Sequence, residues 1–261
     1  MYRIKALILL LVLSGCATQP EKQSLRHTQA NESALQGENA YLGGQLKQAL
    51  HYYQIALQQN SAIENYPGMA ANLLSLAQVY LELGEYVKVD SSLQTLLTNP
   101  NYAYQWKVEA AARAAQLALL SQQTAKADAL LLQAQSWCDH CPQAAAILNL
   151  QAEVSYARLD FARSVTLLQL AVTKAEREPV ELANAWRLQA RIKLAMADAA
   201  TAATLLEQAL SLDKQLGIPK KIAADLSLLA EVKEKLGLPE EAAALRVRVQ
   251  ALLLASGVKL P

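Results

Sequence analysis

Residues 73–100 carry two apolar stripes joined by a glycine, and this pattern limits what the chain can fold into. Leu73, Leu76, Ala77 and Tyr80 share one face of a helix of period 3.6. Val89, Leu93 and Leu96 share one face of a second helix. Gly84 and Tyr86 stand between the stripes, and Pro100 closes the unit. A glycine there ends the first helix and lets the chain reverse, while Ala77 is small enough for the two helices to approach closely. A lone helical hairpin leaves apolar surface uncovered, so this one must stack on further copies of itself.

The rest of the chain supplies the copies. The same register places turn residues at Gly44, Gly84, Gln122, Leu159, Ala197 and Gly237, at spacings of 40, 38, 37, 38 and 40 residues. Unit one has Gly37 and Tyr41 on its first helix and Ala49, Tyr53 and Ala56 on its second; unit five carries Trp186, Ala190, Ala202, Leu206 and Ala209. Leu73, Leu76-Ala77 and Tyr80 occupy the W-x2-L-G-x2-Y places of a tetratricopeptide repeat, and Val89 and Leu93 its A-x3-F places. The chain therefore resembles the tetratricopeptide repeat family over residues 30–254. The standard repeat has 34 residues, and about one extra helical turn per unit accounts for the longer spacing here. The expected fold is all-α: a tetratricopeptide-like α-solenoid of six helix-turn-helix units, about twelve helices, over residues 30–257, with a tail at 258–261.

Residues 1–15 read as a signal peptide. Arg3 and Lys5 precede an apolar run at 6–13, too short for a membrane span of about 20 residues. Leu13-Ser14-Gly15-Cys16 resembles a bacterial lipobox. The resemblance implies a diacylglycerol thioether and an N-acyl chain on Cys16, and several acyl chains at about 0.8 kcal/mol per buried CH2 anchor a protein stably. Ala17 follows the cysteine, where an Asp typically retains such lipoproteins in the inner membrane. The implied location is the periplasmic face of the outer membrane of a Gram-negative cell. Residues 16–29 are expected to form a lipidated, flexible tether, polar from residue 18.

Loss of residues 1–15 removes Arg3 and Lys5, leaving 22 basic side chains against 23 acidic ones. So balanced a surface has no nucleic-acid footprint. Catalytic sequence motifs are lacking, carboxylates are dispersed along the helices, and His27 and His51 have no nucleophile near them in sequence. No catalytic residue, cofactor, metal or small-molecule substrate is expected. Trp137-Cys138-Asp139-His140-Cys141-Pro142 has the W-C-x-x-C form of a thioredoxin site but lies in a loop of an all-helical chain, without the strand that such a site needs. A local disulfide between Cys138 and Cys141 is the favoured reading; a thiol–disulfide redox site and free thiols are the alternatives.

In the repeat family the first helix of each unit lines a concave groove. Carried onto this register, its ninth positions are Glu38, Gln78, Gln116, Glu153, Arg191 and Glu231. With Asn149, Asn184 and Arg187, the pair Glu153 and Arg191 would make a polar patch that either binds an extended partner segment or is an ordinary solvated ridge. The expected role is a non-catalytic scaffold that binds a protein partner. Resemblance suggests two partners: a peptidoglycan synthase, as for repeat lipoproteins that activate a bifunctional penicillin-binding protein, or the secretin served by a type IV pilus pilotin.

Overall fold

The structure is a computed structural model and describes residues 24–256. The signal segment, Cys16, the first part of the expected tether and the tail lie outside the described residues. Twelve helices form six hairpins: α1 (Leu25–Leu42) with α2 (Leu46–Ser61), α3 (Tyr66–Glu82) with α4 (Tyr86–Thr98), and α5 (Tyr104–Leu120) with α6 (Thr124–Trp137). Then come α7 (Ala144–Ala157) with α8 (Phe161–Lys174), α9 (Pro179–Ala195) with α10 (Ala199–Leu216), and α11 (Pro219–Lys235) with α12 (Pro239–Ser256). No strand occurs among the described residues. The chain is an all-α, tetratricopeptide-like solenoid.

The hairpin turns fall where the sequence register puts them. Gly44, Gly84, Gln122, Leu159, Ala197 and Gly237 all have positive φ. At each turn the next residue's N–H reaches back five residues, as in Gln45 N to Ala40 O at 2.8 Å and Asp160 N to Ser155 O at 2.9 Å. This bond satisfies a carbonyl that the helix end would otherwise leave open. The third and fourth units keep the register although Gln122 and Leu159 replace glycine. The chain reversal is therefore carried by backbone geometry, with glycine its cheapest occupant.

One expected boundary moves. The sequence puts the tether through residue 29, but α1 begins at Leu25, where the Ser24 side chain accepts a hydrogen bond from the N–H of His27. A serine cap satisfies an orphan donor, which suffices to start the helix early. Residues 25–29, His27 included, therefore belong to the solenoid. At the other end α12 stops at Ser256.

Alanine sets the spacing between helices. Ala49, Ala56, Ala111, Ala115, Ala127, Ala134, Ala202 and Ala209 are fully buried along the hairpin seams. In unit one Gly37 goes further: a Cβ there would stand 2.7 Å from Cδ1 of Tyr53. The tyrosine ring thus lies against α1 backbone. Every helix packs on its chain neighbours, and the first helices of units one to five also touch along the inner side. The core accordingly runs as three clusters: one from α1 to α7, a small one across α7 to α9, and one from α9 to α12.

A left-handed backbone costs a non-glycine residue about 1–2 kcal/mol, and Leu159 is 76% exposed, so its side chain contributes little packing. Leu159→Gly should raise stability by about 1 kcal/mol in denaturant unfolding. A loss of stability would mean that the leucine side chain holds the turn.

Candidate functional site

A cleft of about 750 Å³ opens on the inner face of the solenoid. Its walls are the first helices α3, α5, α7, α9 and α11, contributing among others Gln78, Arg113, Glu153, Arg191 and Lys221. All five residues of the expected polar patch, Asn149, Glu153, Asn184, Arg187 and Arg191, line it. Gln78 and Gln116 line it too, as the ninth-position rule expects, while Glu38 lines a separate depression toward α1. Past Gln78 and Arg113 the cleft continues into a smaller hollow walled by Tyr41, Tyr53, Ala71 and Ser75.

The five patch residues divide into two kinds. Asn149 is 8% exposed, and its Nδ2 donates to the backbone O and the Oε2 of Glu181, both at 2.9 Å. Arg187 is almost enclosed: Nε donates to Asp225 Oδ1 at 2.5 Å, Nη2 to Asp213 Oδ2, and Nη1 to Asn184 Oδ1 at 3.0 Å. Both aspartates are 0% exposed. Asn149 and Arg187 therefore spend their hydrogen bonds holding helices together: α7 to α9, and α9 to α10 and α11. Glu153, Asn184 and Arg191 remain partly open to the cleft. Arg191 Nη1 lies 3.3 Å from Glu153 Oε1, and its guanidinium sits 4.6 Å above the Tyr156 ring. Glu153 and Arg191 thus pair with each other within the groove.

Sequence reasoning missed Asp213, Asp225, Glu178, Glu181 and Lys221. Asp213 lies at the end of a second helix and Asp225 in the first turns of α11, away from the positions that line the groove. A buried aspartate in an otherwise apolar or small-residue stripe was the available signal. Burial pushes the Asp225 carboxyl up to about 6; Arg187 pulls it down and the neighbouring Asp213 carboxyl pushes it up. Burial, then the neighbouring Arg187 charge, lowers Lys221, whose Nζ donates to Asn184 Oδ1 at 2.9 Å. Burial and then Glu181 raise Glu178.

Two further contacts shape the cleft. Cys138 and Cys141 are joined by a disulfide, and Pro142 and Gln143 of the same loop form part of the wall. Cys138 caps the C-terminus of α6, the negative end of a helix, where a thiolate is disfavoured. This is the reverse of the setting that activates a thioredoxin cysteine. Across the mouth, Lys220 Nζ on α11 lies 3.5 Å from Glu82 Oε1 on α3, bridging positions 138 residues apart.

Comparison with solved structures places this geometry in a class. The crystal structure of PilW, a widely conserved type IV pilus biogenesis factor, matches 85% of this chain and 92% of its own at TM-score 0.60 and 17% identity. BtubC (BKLC) from P. vanneervenii matches 91% and 94% at TM-score 0.56 and 15% identity. A tetratricopeptide repeat protein from Parabacteroides merdae matches 86% and 93% at TM-score 0.55 and 15% identity. The class is thus a tetratricopeptide-like repeat solenoid; identities this low speak for the fold alone. No protein-family model matches the sequence, and no curated relative matches it.

Removing one partner of a buried ion pair costs about 3–5 kcal/mol, against about 0–1 for an exposed pair. Arg187→Leu should therefore destabilise the protein severely, while Arg191→Ala should cost no more than about 1 kcal/mol. Equal losses in urea unfolding would contradict the division of the patch. The raised Asp225 means that the folded state binds more protons than the unfolded chain between the ordinary carboxylate range and about 6. Its contribution to stability is present at low pH and is lost as pH rises through about 6. Subtracting the melting curve of Asp225→Asn should isolate a component that rises on going from about pH 7 to about pH 5; a flat difference would contradict it.

Proposed function

We propose that this protein is a non-catalytic scaffold that holds an extended segment of a protein partner in the inner cleft. The observation that carries this reading is the cleft itself: five first helices converge on about 750 Å³ lined by half-exposed polar side chains. Glu153, Asn184 and Arg191 are the groups we assign to contact the partner, with Asn149 and Arg187 fixing the walls behind them. An extended segment presents backbone donors and acceptors along its length, and side chains of this kind can meet them.

The location follows from the lipobox resemblance. A lipid on Cys16 would hold the solenoid at the periplasmic face of the outer membrane and raise the partner's effective concentration there. The partner class we infer is a peptidoglycan synthase, so the protein would act in regulating envelope synthesis. A second reading, assembly of a type IV pilus secretin, draws support from the match to PilW along nearly the whole of both chains. Redox work by Cys138 and Cys141 is disfavoured by the placement of Cys138 at a helix C-terminus.

In-cell crosslinking followed by affinity isolation tests the reading. Recovery of a peptidoglycan synthase, reduced in Arg191→Glu, supports the regulator; recovery of a secretin subunit moves the function to the pilus. Clients that are disulfide-linked and vanish in Cys138→Ala would overturn the scaffold. Cys16→Ala should release the protein to the soluble periplasm, and retention in the outer-membrane fraction would overturn the anchor.

A further inference from the structure

The cleft is unevenly charged once its internal pairs are assigned. Arg113 is taken up by Glu109 at 2.7 Å and Arg191 by Glu153. Arg187 is shared by two buried aspartates. Among the described cleft residues, Lys221 is then the one cation left to face Glu178 and Glu181. With the second aspartate on Arg187, the site lacks two positive charges at neutral pH unless Asp225 holds its proton. The N-terminus of α9, beside Glu178 and Glu181, offsets part of the deficit.

A second observation points the same way. Of the seven buried side-chain atoms without a partner among the described residues, four lie at or behind this cleft, and all four are acceptors. Asn149 Oδ1 and Gln143 Oε1 belong to lining residues, and Asp213 Oδ1 and Asp225 Oδ2 lie behind Arg187. Asn149 is more than nine-tenths buried, and its two donor bonds already go to Glu181. Glu178 has no side-chain hydrogen bond or ion pair with another described residue, and its neighbour Glu181 repels it. On the α7–α9 side of the cleft the donors of Asn184, Arg187 and Arg191 are thus already engaged, while acceptors of Asn149 and Gln143 and the Glu178 carboxylate are not, and Lys221 stands on the α11 side. Desolvated acceptors left unpaired cost about 1–3 kcal/mol each, and a ligand that supplies donors recovers that cost.

We propose that the α7–α9 side of the cleft is a subsite for a basic side chain, lysine or arginine, of the partner's extended segment. This deepens the scaffold reading above and rests on it. The ammonium or guanidinium would meet the carboxylates of Glu178 and Glu181 and offer donors to Asn149 and Gln143. The segment then continues past Gln78 and Arg113 into the hollow walled by Tyr41 and Tyr53, which suits an apolar or aromatic neighbour. Glu178 sets the charge preference without holding the fold, because it makes no side-chain bond.

A bead-displayed random heptapeptide library, incubated with the purified mature protein, tests this. The expected result is enrichment of Lys or Arg over Asp or Glu by about tenfold or more at one position, since each tenfold corresponds to about 1.4 kcal/mol. Glu178→Gln should reduce that enrichment. Glu178→Lys, which supplies its own ammonium beside Glu181, should abolish it. Peptides captured without basic preference, or with a preference unchanged in both variants, would overturn the subsite and leave the groove reading standing. No capture of any peptide, together with no partner crosslinked in cells, would overturn both.

Discussion

Close approach of helices through alanine is the constraint on which this solenoid depends. Small buried residues bring the two helices of a hairpin together, and apolar side chains continue from each hairpin to the next, so every helix is stabilised by its chain neighbours. Interiors of this kind are packed as tightly as crystals, and a methylene too many is felt. Gly37 against the Tyr53 ring is the extreme case. The apolar clusters are not equal along the stack. The one across α7 to α9 has five buried residues, Ala152, Leu168, Ala185, Leu188 and Ile192, and it is there that the polar cleft lies.

The polar network substitutes for core at that weak point. Asn149 ties α7 to the start of α9, Ser164 donates to Ala152 O at 2.8 Å between α8 and α7, and Arg187 joins three helices through two aspartates. Buried charge seldom adds net stability over an apolar replacement, but it fixes geometry, because each partner is costly to leave unpaired. The curvature of the cleft is set by bonds with direction. The groups that shape the wall are therefore distinct from those free to meet a partner, although a sequence register assigns both to the same face.

The periodic features were legible in the sequence. The stripe residues Leu73, Leu76, Ala77, Tyr80, Val89, Leu93 and Leu96 are all buried, and the six turn positions all take the left-handed conformation. Periodicity reports which face a residue is on; the groove positions came from the resemblance to the repeat family, and of its ninth positions Gln78, Gln116, Glu153 and Arg191 line the cleft while Glu38 and Glu231 do not. Periodicity does not report pairing between repeats. Arg187 meets Asp213 and Asp225 at separations of 26 and 38 residues, and nothing local links them. The early start of α1 was hidden in a single serine cap. Solved neighbours share the fold at 15–17% identity, for a related reason. A hairpin seam asks for small or apolar side chains at a handful of places, and very many sequences comply.

The bridge between Lys220 and Glu82 joins repeats that are far apart in the chain. Through this pair a side chain of α3 meets one of α11, so the second repeat touches the sixth. An exposed ion pair of this kind is worth at most about 1 kcal/mol, so it breaks and re-forms readily. Added salt weakens the pair further. Ionic strength thereby acts on how firmly two repeats at a distance along the chain are joined, through a contact that lies outside the cleft lining.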